Sequence, residues 1–421
     1  MVLHLFALLL SAFPGQSTVL SLDDVLTKAL QNSETMGIAE SELRAARWRF
    51  RQAYGALLPT VSLTGRYQRQ QIPGGQGSGV SGALRLPSQT NAQITWTQPI
   101  FQGLAEYGEV KRLRSLKHAS EAGLHAAQIE LLSLVSSQYF AIQAVEKDLE
   151  HLKRSLELNE SRLKELKNRE KIGRVKSSEV LVSTSQVAVL KAQILSSEQK
   201  RVILRNDLIQ SVALSEDFEV EKRAETEEVS SVDLTDWSKK ILQRPDVREA
   251  QMQEEAAAGQ IWSVRSSHFP RLEIGGNYYL KRAGILKDSK WDLALTLSIP
   301  IFEGGAAFAR VREAVEQRKQ AELNYQQLVR QIKIQVQSLI TQMNSLKEQQ
   351  SAYAAAAKAS WKSYEAVKKD FDTGLATELD VIQSLNQNVD TQRSLDQVKF
   401  QLMDLMQEYR FSTAQNFEEV L

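Results

Sequence analysis

Pro99-Ile100-Phe101-Gln102-Gly103 recurs as Pro300-Ile301-Phe302-Glu303-Gly304, 201 residues further along a chain of 421. At the same displacement stand Ala105/Ala306, Tyr107/Phe308, Val110/Val311, Glu121/Glu322 and Gly173/Gly374. The 74-residue interval from the proline to the distant glycine has one length in both copies. Surface loops let lengths drift between related segments. An interval held this way points to an element whose reach matters.

Working outward, each half reads as helix, strand, loop, strand, very long helix, glycine turn and return helix. Ser21-Leu22-Asp23-Asp24 has the spacing of a capping box and starts a helix near residue 22. That helix is expected to run to Leu58 and stop at Pro59, because the residue before a proline is pushed out of the α region. Its counterpart is expected from Asp233 to Phe269, before Pro270. After each proline comes a strand. Val61, Leu63, Gly65 and Tyr67 alternate with polar residues in the first copy, as Leu272, Ile274, Gly276 and Tyr278 do in the second. The partner strands are 92–97 and 291–299, separated from the first by a Gly/Ser/Pro-rich loop (Gln70 to Gln89) and a shorter one (Lys281 to Lys290). Period-2 alternation of this length fits strands crossing a bilayer on a tilt. So few strands, isolated by helices, cannot form a stable soluble sheet alone.

From Ala105 to Lys171 there is no proline, and a helix of that extent is about 100 Å long. Ile142, Val145, Leu149, Leu152, Leu156, Leu163 and Leu166 keep a 3.5-residue repeat broken only by Asn159, which marks a coiled-coil seam. Met343, Leu346, Tyr353, Ala357, Tyr364 and Val367 keep the register in the second copy, with Gln350 and Ser360 in the seam. Return helices from Ser177 to Leu214 and from Glu378 to Ser412 must pack antiparallel to the outgoing ones. The tail after Phe411 reads as extended.

The chain has 52 basic and 51 acidic residues, which gives no argument for nucleic acid or an acidic partner. It contains no cysteine, so disulfides, thiolate chemistry and a lipid-modified N-terminal cysteine are excluded. Residues 1–17, apolar and then small, read as a signal peptide. The remaining organisation is a first repeat over 18–214, an acidic linker over 215–232 and a second repeat over 233–421. No stretch is apolar for long enough to be a spanning helix. His118 and His125 lack a third ligand for a metal site. Gly75 to Gly79 follows a strand but opens no helix, so it fails as a phosphate loop. There is no catalytic or cofactor constellation, and no enzyme is expected.

The glycine turns remain as candidate sites. They read Ile172-Gly173-Arg174-Val175-Lys176-Ser177-Ser178-Glu179 and Thr373-Gly374-Leu375-Ala376-Thr377-Glu378-Leu379-Asp380. A carboxylate stands six residues after each glycine. Glu179 and Asp380 read equally as helix caps, since anions are favoured near N-termini, or as groups facing a pore.

The duplicated P-I-F-[QE]-G after a strand, the helices ending L-L-P and H-F-P before a strand, and the G-x-x-x-x-x-[ED]-V turns resemble the TolC-like outer-membrane efflux proteins. The likeness covers essentially the whole chain after residue 17. The family's Ala-Leu…Asn-Pro start appears as Ala29-Leu30-Gln31-Asn32-Ser33, with serine in place of proline. The resemblance implies a mainly α fold with a membrane β-barrel part. It implies a homotrimer sharing one 12-stranded barrel, four strands per chain, continued by a periplasmic α-helical coiled-coil barrel that closes at Gly173 and Gly374. It also implies an acidic entrance ring at Asp380 and a gate linkage at Glu179. Where the family's gate has a tyrosine and an arginine this chain has Phe371 and Ala376, and Gln383 replaces a second ring acid. Closure is therefore expected from Arg174 or Lys176 pairing with Glu179 or Glu378.

The function this resemblance implies is that of a passive exit duct in the outer-membrane lipid. It would serve an inner-membrane pump through a periplasmic adaptor, in a tripartite efflux or type I secretion system. The alternative is a periplasmic adaptor, which also uses coiled-coil hairpins. An adaptor would carry one hairpin between lipoyl-like and β-barrel segments, and two copies with amphipathic strands speak against it.

Overall fold

The structure is a computed structural model and describes residues 18–69, 71, 88–214, 218–221, 237–283 and 286–414. Residues 1–17, expected to be a signal peptide, most of the 70–89 loop and the tail after Ala414 lie outside the described residues. The elements, in order, are β1 (Thr18–Leu20), α1 (Leu22–Asn32), α2 (Glu34–Gly55), β2 (Thr60–Arg69), β3 (Ser88–Gln102), α3 (Ala105–Lys171), α4 (Ser177–Val212), β4 (Phe218–Val220), α5 (Trp237–Lys240), α6 (Pro245–Arg265), β5 (Arg271–Lys281), β6 (Trp291–Ser298), α7 (Ala306–Asp372) and α8 (Glu378–Thr413).

The repeat is carried to the residue. Helices α3 and α7 both have 67 residues, α4 and α8 both have 36, and each pair starts 201 positions apart. Two expected helices are interrupted. The first breaks at Ser33, whose extended backbone caps α1 before α2 begins. The second breaks at Arg244, where Pro245 opens α6 as a first helical residue whose missing N–H costs nothing. Two three-residue strands, too short to leave a sequence signal, pair in parallel as β1 and β4. β4 lies inside the acidic linker. α8 continues two residues past Phe411 before Ala414 caps it.

The chain forms two compact units, one from Met1–Ala39, His125–Pro245 and Arg330–Leu421, the other from Glu40–Leu124 and Asp246–Val329. In the first, Leu26, Leu132, Val135, Ile142, Leu208 and Phe218 form a buried core around the β1–β4 pair. The heptad reading holds there. Val145, Leu149 and Leu152 of α3 pack on Leu190 and Ile194 of α4. Tyr364 packs on Val381 and Leu385 across the second hairpin, with Val367 and Phe371 beside them. Of the three polar seam positions, Asn159 and Ser360 are buried and Gln350 is half-buried. Ser360 takes a hydrogen bond from the Asn388 amide at 3.2 Å.

The second unit holds an antiparallel four-stranded sheet in the order β2-β3-β5-β6. All four expected strands are present, and β3 extends further than its pattern suggested. Its last residues, Pro99 to Gln102, pair with Leu272 and its neighbours across a bulge. The equivalent residues after β6 have no such neighbour, so Ile301 and Phe302 are 95% and 86% exposed while Phe101 is 37% exposed. Beside the sheet, α6 crosses α3 at two glycines. A Cβ on Gly259 would lie 2.8 Å from the Arg112 backbone nitrogen, and one on Gly108 would overlap Ser263. Glycine lets the two backbones approach. Among the described residues no helix is long and apolar enough to cross a membrane.

Candidate functional site

The sheet has two chemically different faces. On one, Val61, Leu63, Tyr67, Tyr278, Trp291, Leu293, Leu295 and Leu297 are all at least half exposed. Trp96 lies on this face against Gly276, whose added Cβ would sit 2.6 Å from the indole nitrogen. The other face is a polar net. Thr95 Oγ1 donates to Asn277 Oδ1 at 2.8 Å, Asn277 Nδ2 to Asp292 Oδ1 at 2.8 Å, and Tyr279 Oη to Asp292 Oδ2 at 2.7 Å. Bare aliphatic and aromatic side chains on one face with a hydrogen-bonded polar surface on the other is the pattern of a sheet between lipid and water.

At the far ends of α3 and α7 both glycines take the left-handed conformation, with φ +72° at Gly173 and +81° at Gly374. Each turn closes the same way. Arg174 N donates to Arg169 O at 2.9 Å and Leu375 N to Asp370 O at 2.8 Å, the six-to-one bond that satisfies an orphan helix carbonyl.

The return helices start differently. Thr377 and Asp380 form a reciprocal capping box. The Thr377 hydroxyl and amide donate to Asp380 Oδ2 at 2.6 and 2.8 Å, and Asp380 N donates back to Thr377 Oγ1 at 3.3 Å. These bonds hold the exposed Asp380 carboxyl below its ordinary range. Lys176, at the matching position of α4, makes no side-chain cap. Glu179 is half-buried without a side-chain partner among the described residues. Arg174, Lys176 and Gln383 are exposed.

The expected pairing of Glu378 is corrected. Its partner is neither Arg174 nor Lys176 but Arg162, on α3. Arg162 Nη2 donates to Glu378 Oε2 at 2.9 Å, and its Nε donates to Oε1. Only 2% of the Glu378 side chain and 14% of the Arg162 side chain are exposed. The Arg162 guanidinium also lies 4.8 Å from the Phe371 ring centroid, and that of Arg169 lies 5.2 Å away. Phe371, which cannot make a hydroxyl bond, instead presents its ring face to two cations. Sequence reasoning missed Arg162 because its partner is 216 residues away. The available signal was a charged residue beside seam position Leu163.

Arg162–Glu378 is the last rung of a ladder between α3 and α8. Above it, Arg393 Nε donates to Asp148 Oδ1 at 2.6 Å and His151 Nε2 meets Asp396 Oδ2 at 2.7 Å. Ser137 Oγ donates to Asp404 Oδ2 at 3.2 Å. Burial opposes the charge on Asp396, yet His151 and Lys399 together hold its carboxyl below the usual range. Burial pushes Asp404 up, with only Ser137 opposing it. Glu408 is raised by burial and by repulsion from Asp404. The three upper rungs line a crevice of about 390 Å³ together with Phe140 and Phe400. Among the described residues no cluster of three metal-ligating side chains occurs.

Comparison with known proteins agrees with this architecture. A family model described as outer membrane efflux protein matches residues 25–213 and 237–410, so it spans both repeats. A probable efflux pump outer membrane protein, TtgC, of Pseudomonas putida is 21% identical over 390 residues, which cover 89% of this chain and 79% of that protein. A crystal structure of CusC superposes with a TM-score of 0.83 at 16% identity, covering 96% of this chain and 95% of its own. The outer membrane protein VceC of Vibrio cholerae superposes with a TM-score of 0.79 at 18% identity, covering 93% and 95%. The duplicated strands, the paired hairpins and the match along both repeats lead to one conclusion: this chain belongs to the outer membrane efflux protein family.

Proposed function

We propose that the chain is the outer-membrane exit duct of a tripartite efflux assembly, working as a homotrimer. The observation that carries this is the open sheet. Its four strands end at β2 and β6, each with one edge unpaired among the described residues. Unpaired backbone is not tolerated facing lipid, so the sheet must be closed by copies of itself. β3 pairs with β5 within the chain, and the repeat sets β6 against β2 of the next copy by the same relation. That gives Ile301 and Phe302 the cover that Phe101 already has.

The duct is passive and draws its energy from an inner-membrane pump reached through a periplasmic adaptor. TtgC bears the name of an efflux pump component, which supports an efflux partner over a type I secretion partner. Asp380, exposed and held ionised, suits an entrance ring that favours cations. In the resting state the Arg162–Glu378 pair, with Phe371 beneath it, ties the two hairpins of each protomer near their tips.

Membrane fractionation tests the reading. The protein is expected in the outer-membrane fraction as a heat-modifiable trimer. Recovery as a soluble or peripheral periplasmic monomer would point to the adaptor alternative.

A further inference from the structure

Each of the four helices next to the sheet carries an aromatic residue and a cation one turn apart, close to the strands. On α2 the Arg51 guanidinium lies 4.7 Å from the Trp48 ring centroid, on α6 Arg265 lies 5.5 Å from Trp262, and on α7 Arg312 lies 5.0 Å from Phe308. Tyr107 and Lys111 of α3 stand 201 positions before Phe308 and Arg312. All eight residues are exposed, Trp48 to 65% and Tyr107 to 66%. Each lies within about 10 Å of the sheet-side end of its helix.

The pairs share one side of the helical layer. Gly108 and Gly259 set α3 against α6, which runs the opposite way. On right-handed helices this leaves Tyr107 and Lys111 on the same side as Trp262 and Arg265. Phe50 against Lys117 and Arg47 beside Glu121 orient α2, and Arg318 beside Glu254 orients α7, so that both turn their pairs the same way. That side continues the bare face of the sheet. The Tyr279 amide donates to Lys290 O at 2.8 Å, so the β5 residues that point with Tyr279 bond towards β6 and those that point with Tyr278 bond towards β3. In a strand of L-residues this handedness puts the apolar face, that of Tyr278 and Trp291, on the side of the four pairs. The acids of the same turns, Glu106, Glu109 and Glu313, fall on other faces, and Glu109 is held by Arg112 at 2.6 Å.

We propose that the four pairs form a collar that binds the phosphates of anionic phospholipid headgroups where the sheet leaves the hydrocarbon. This rests on the membrane-embedded sheet above and assigns the lipid class held at its border. Charge and continuity select the occupant. The collar presents four cations and no carboxylate directly beyond the bare aliphatic face. A lipid whose chains lie against Leu63, Leu295 and Leu297 brings its phosphate to these side chains. Aromatic rings favour the border between chains and headgroups, and a guanidinium grips a phosphate through two N–H groups. The residue choice fits that task. Over 48–55, 105–112, 258–265 and 306–313 there are six arginines and one lysine, whereas the whole chain has 27 and 25.

Electron spin resonance of spin-labelled lipids tests the collar in full-length protein reconstituted into vesicles of phosphatidylcholine and phosphatidylglycerol. The wild type is expected to immobilise labelled phosphatidylglycerol about fivefold in preference to labelled phosphatidylcholine. Salt at about 1 M is expected to bring that ratio close to one, a measurement that needs no variant. Arg51→Gln, Lys111→Gln, Arg265→Gln and Arg312→Gln combined are expected to lower the ratio below about twofold while the trimeric mass is kept. Arg49→Gln, on the other side of α2, is expected to leave the ratio unchanged. Equal immobilisation of both lipids by the wild type, a preference unmoved by salt or by the four substitutions, or its loss in Arg49→Gln overturns the collar and leaves the membrane reading standing. A protein that immobilises neither lipid overturns both.

Discussion

Arg162 and Glu378 face each other across the two hairpins, with Nη2 2.9 Å from Oε2, on side chains 14% and 2% exposed. A carboxylate this buried tolerates its charge only because a guanidinium binds both of its oxygens. Removing one partner leaves the other charge stranded at a cost of about 3–5 kcal/mol, whereas replacing both with apolar residues of similar size is often close to neutral. Glu378→Gln is therefore expected to lower the melting temperature clearly and to speed amide exchange in the first turns of α8. Arg162→Met combined with Glu378→Met is expected to recover most of that stability. Circular dichroism melts of the three proteins check it. A double variant as weak as the single one would show that the pair does more than balance charge.

Phe371 sits under two guanidinium groups, Arg162 at 4.8 Å and Arg169 at 5.2 Å. Phe371→Leu keeps the apolar contact with Val367 and Tyr364 but removes the ring face, at an expected cost of about 0.5–2 kcal/mol. Phe371→Tyr keeps the ring and is expected to match the wild type within error. Denaturant unfolding distinguishes the two, and a Phe371→Leu variant as stable as the wild type would remove the cation–ring account.

Asp380 caps α8 as an acceptor, and its carboxyl is held below the usual range by the Thr377 hydroxyl and amide. A lowered folded value means the contribution is present above the unfolded pKa and fades as pH falls through the folded one. Amide protection in the first turn of α8 is expected to be constant from neutral pH down to about 4 and to fall below it. In Thr377→Val the fall should move to higher pH. An unchanged profile would remove the capping account.

Asp404 carries the opposite sign. Burial raises its carboxyl, so the native state prefers the proton and stability declines as pH rises from the unfolded value through the folded one. Asp404→Asn is expected to melt at a higher temperature than wild type near pH 7. The difference should vanish in acid, once Asp404 is protonated in both states. Melting curves at a series of pH values measure it.

Much of this fold was legible because it is periodic. The heptads of α3 and the alternation in the four strands each state a local preference that packing did not override, whereas α2 stops at Gly55 and α6 at Arg265, short of the Leu58 and Phe269 ends that the prolines suggested. The helix ends at Lys171 and Asp372 fell where the glycines put them. The misses have physical causes too. The break at Ser33 is invisible because the apolar pattern runs through it, and a serine stops a helix only when its backbone is free to cap. β1 and β4 are three residues each and exist only because their pairing is buried in the core. At the candidate site, Asp380 and Glu179 were visible as charges at a turn. The partner of Glu378 was sought among nearby residues of the turns, at Arg174 and Lys176, because sequence shows neighbours along the chain and not the α3–α8 seam that brings Arg162 across.

Single-channel recording of the purified protein in planar bilayers tests the central claim, a trimeric outer-membrane duct tied shut at its helical tips. The account predicts a small, cation-selective conductance in the wild type that rises several-fold in Glu378→Gln and loses selectivity in Asp380→Ala. A protein that forms no channel, or an anion-selective one indifferent to both substitutions, would contradict it.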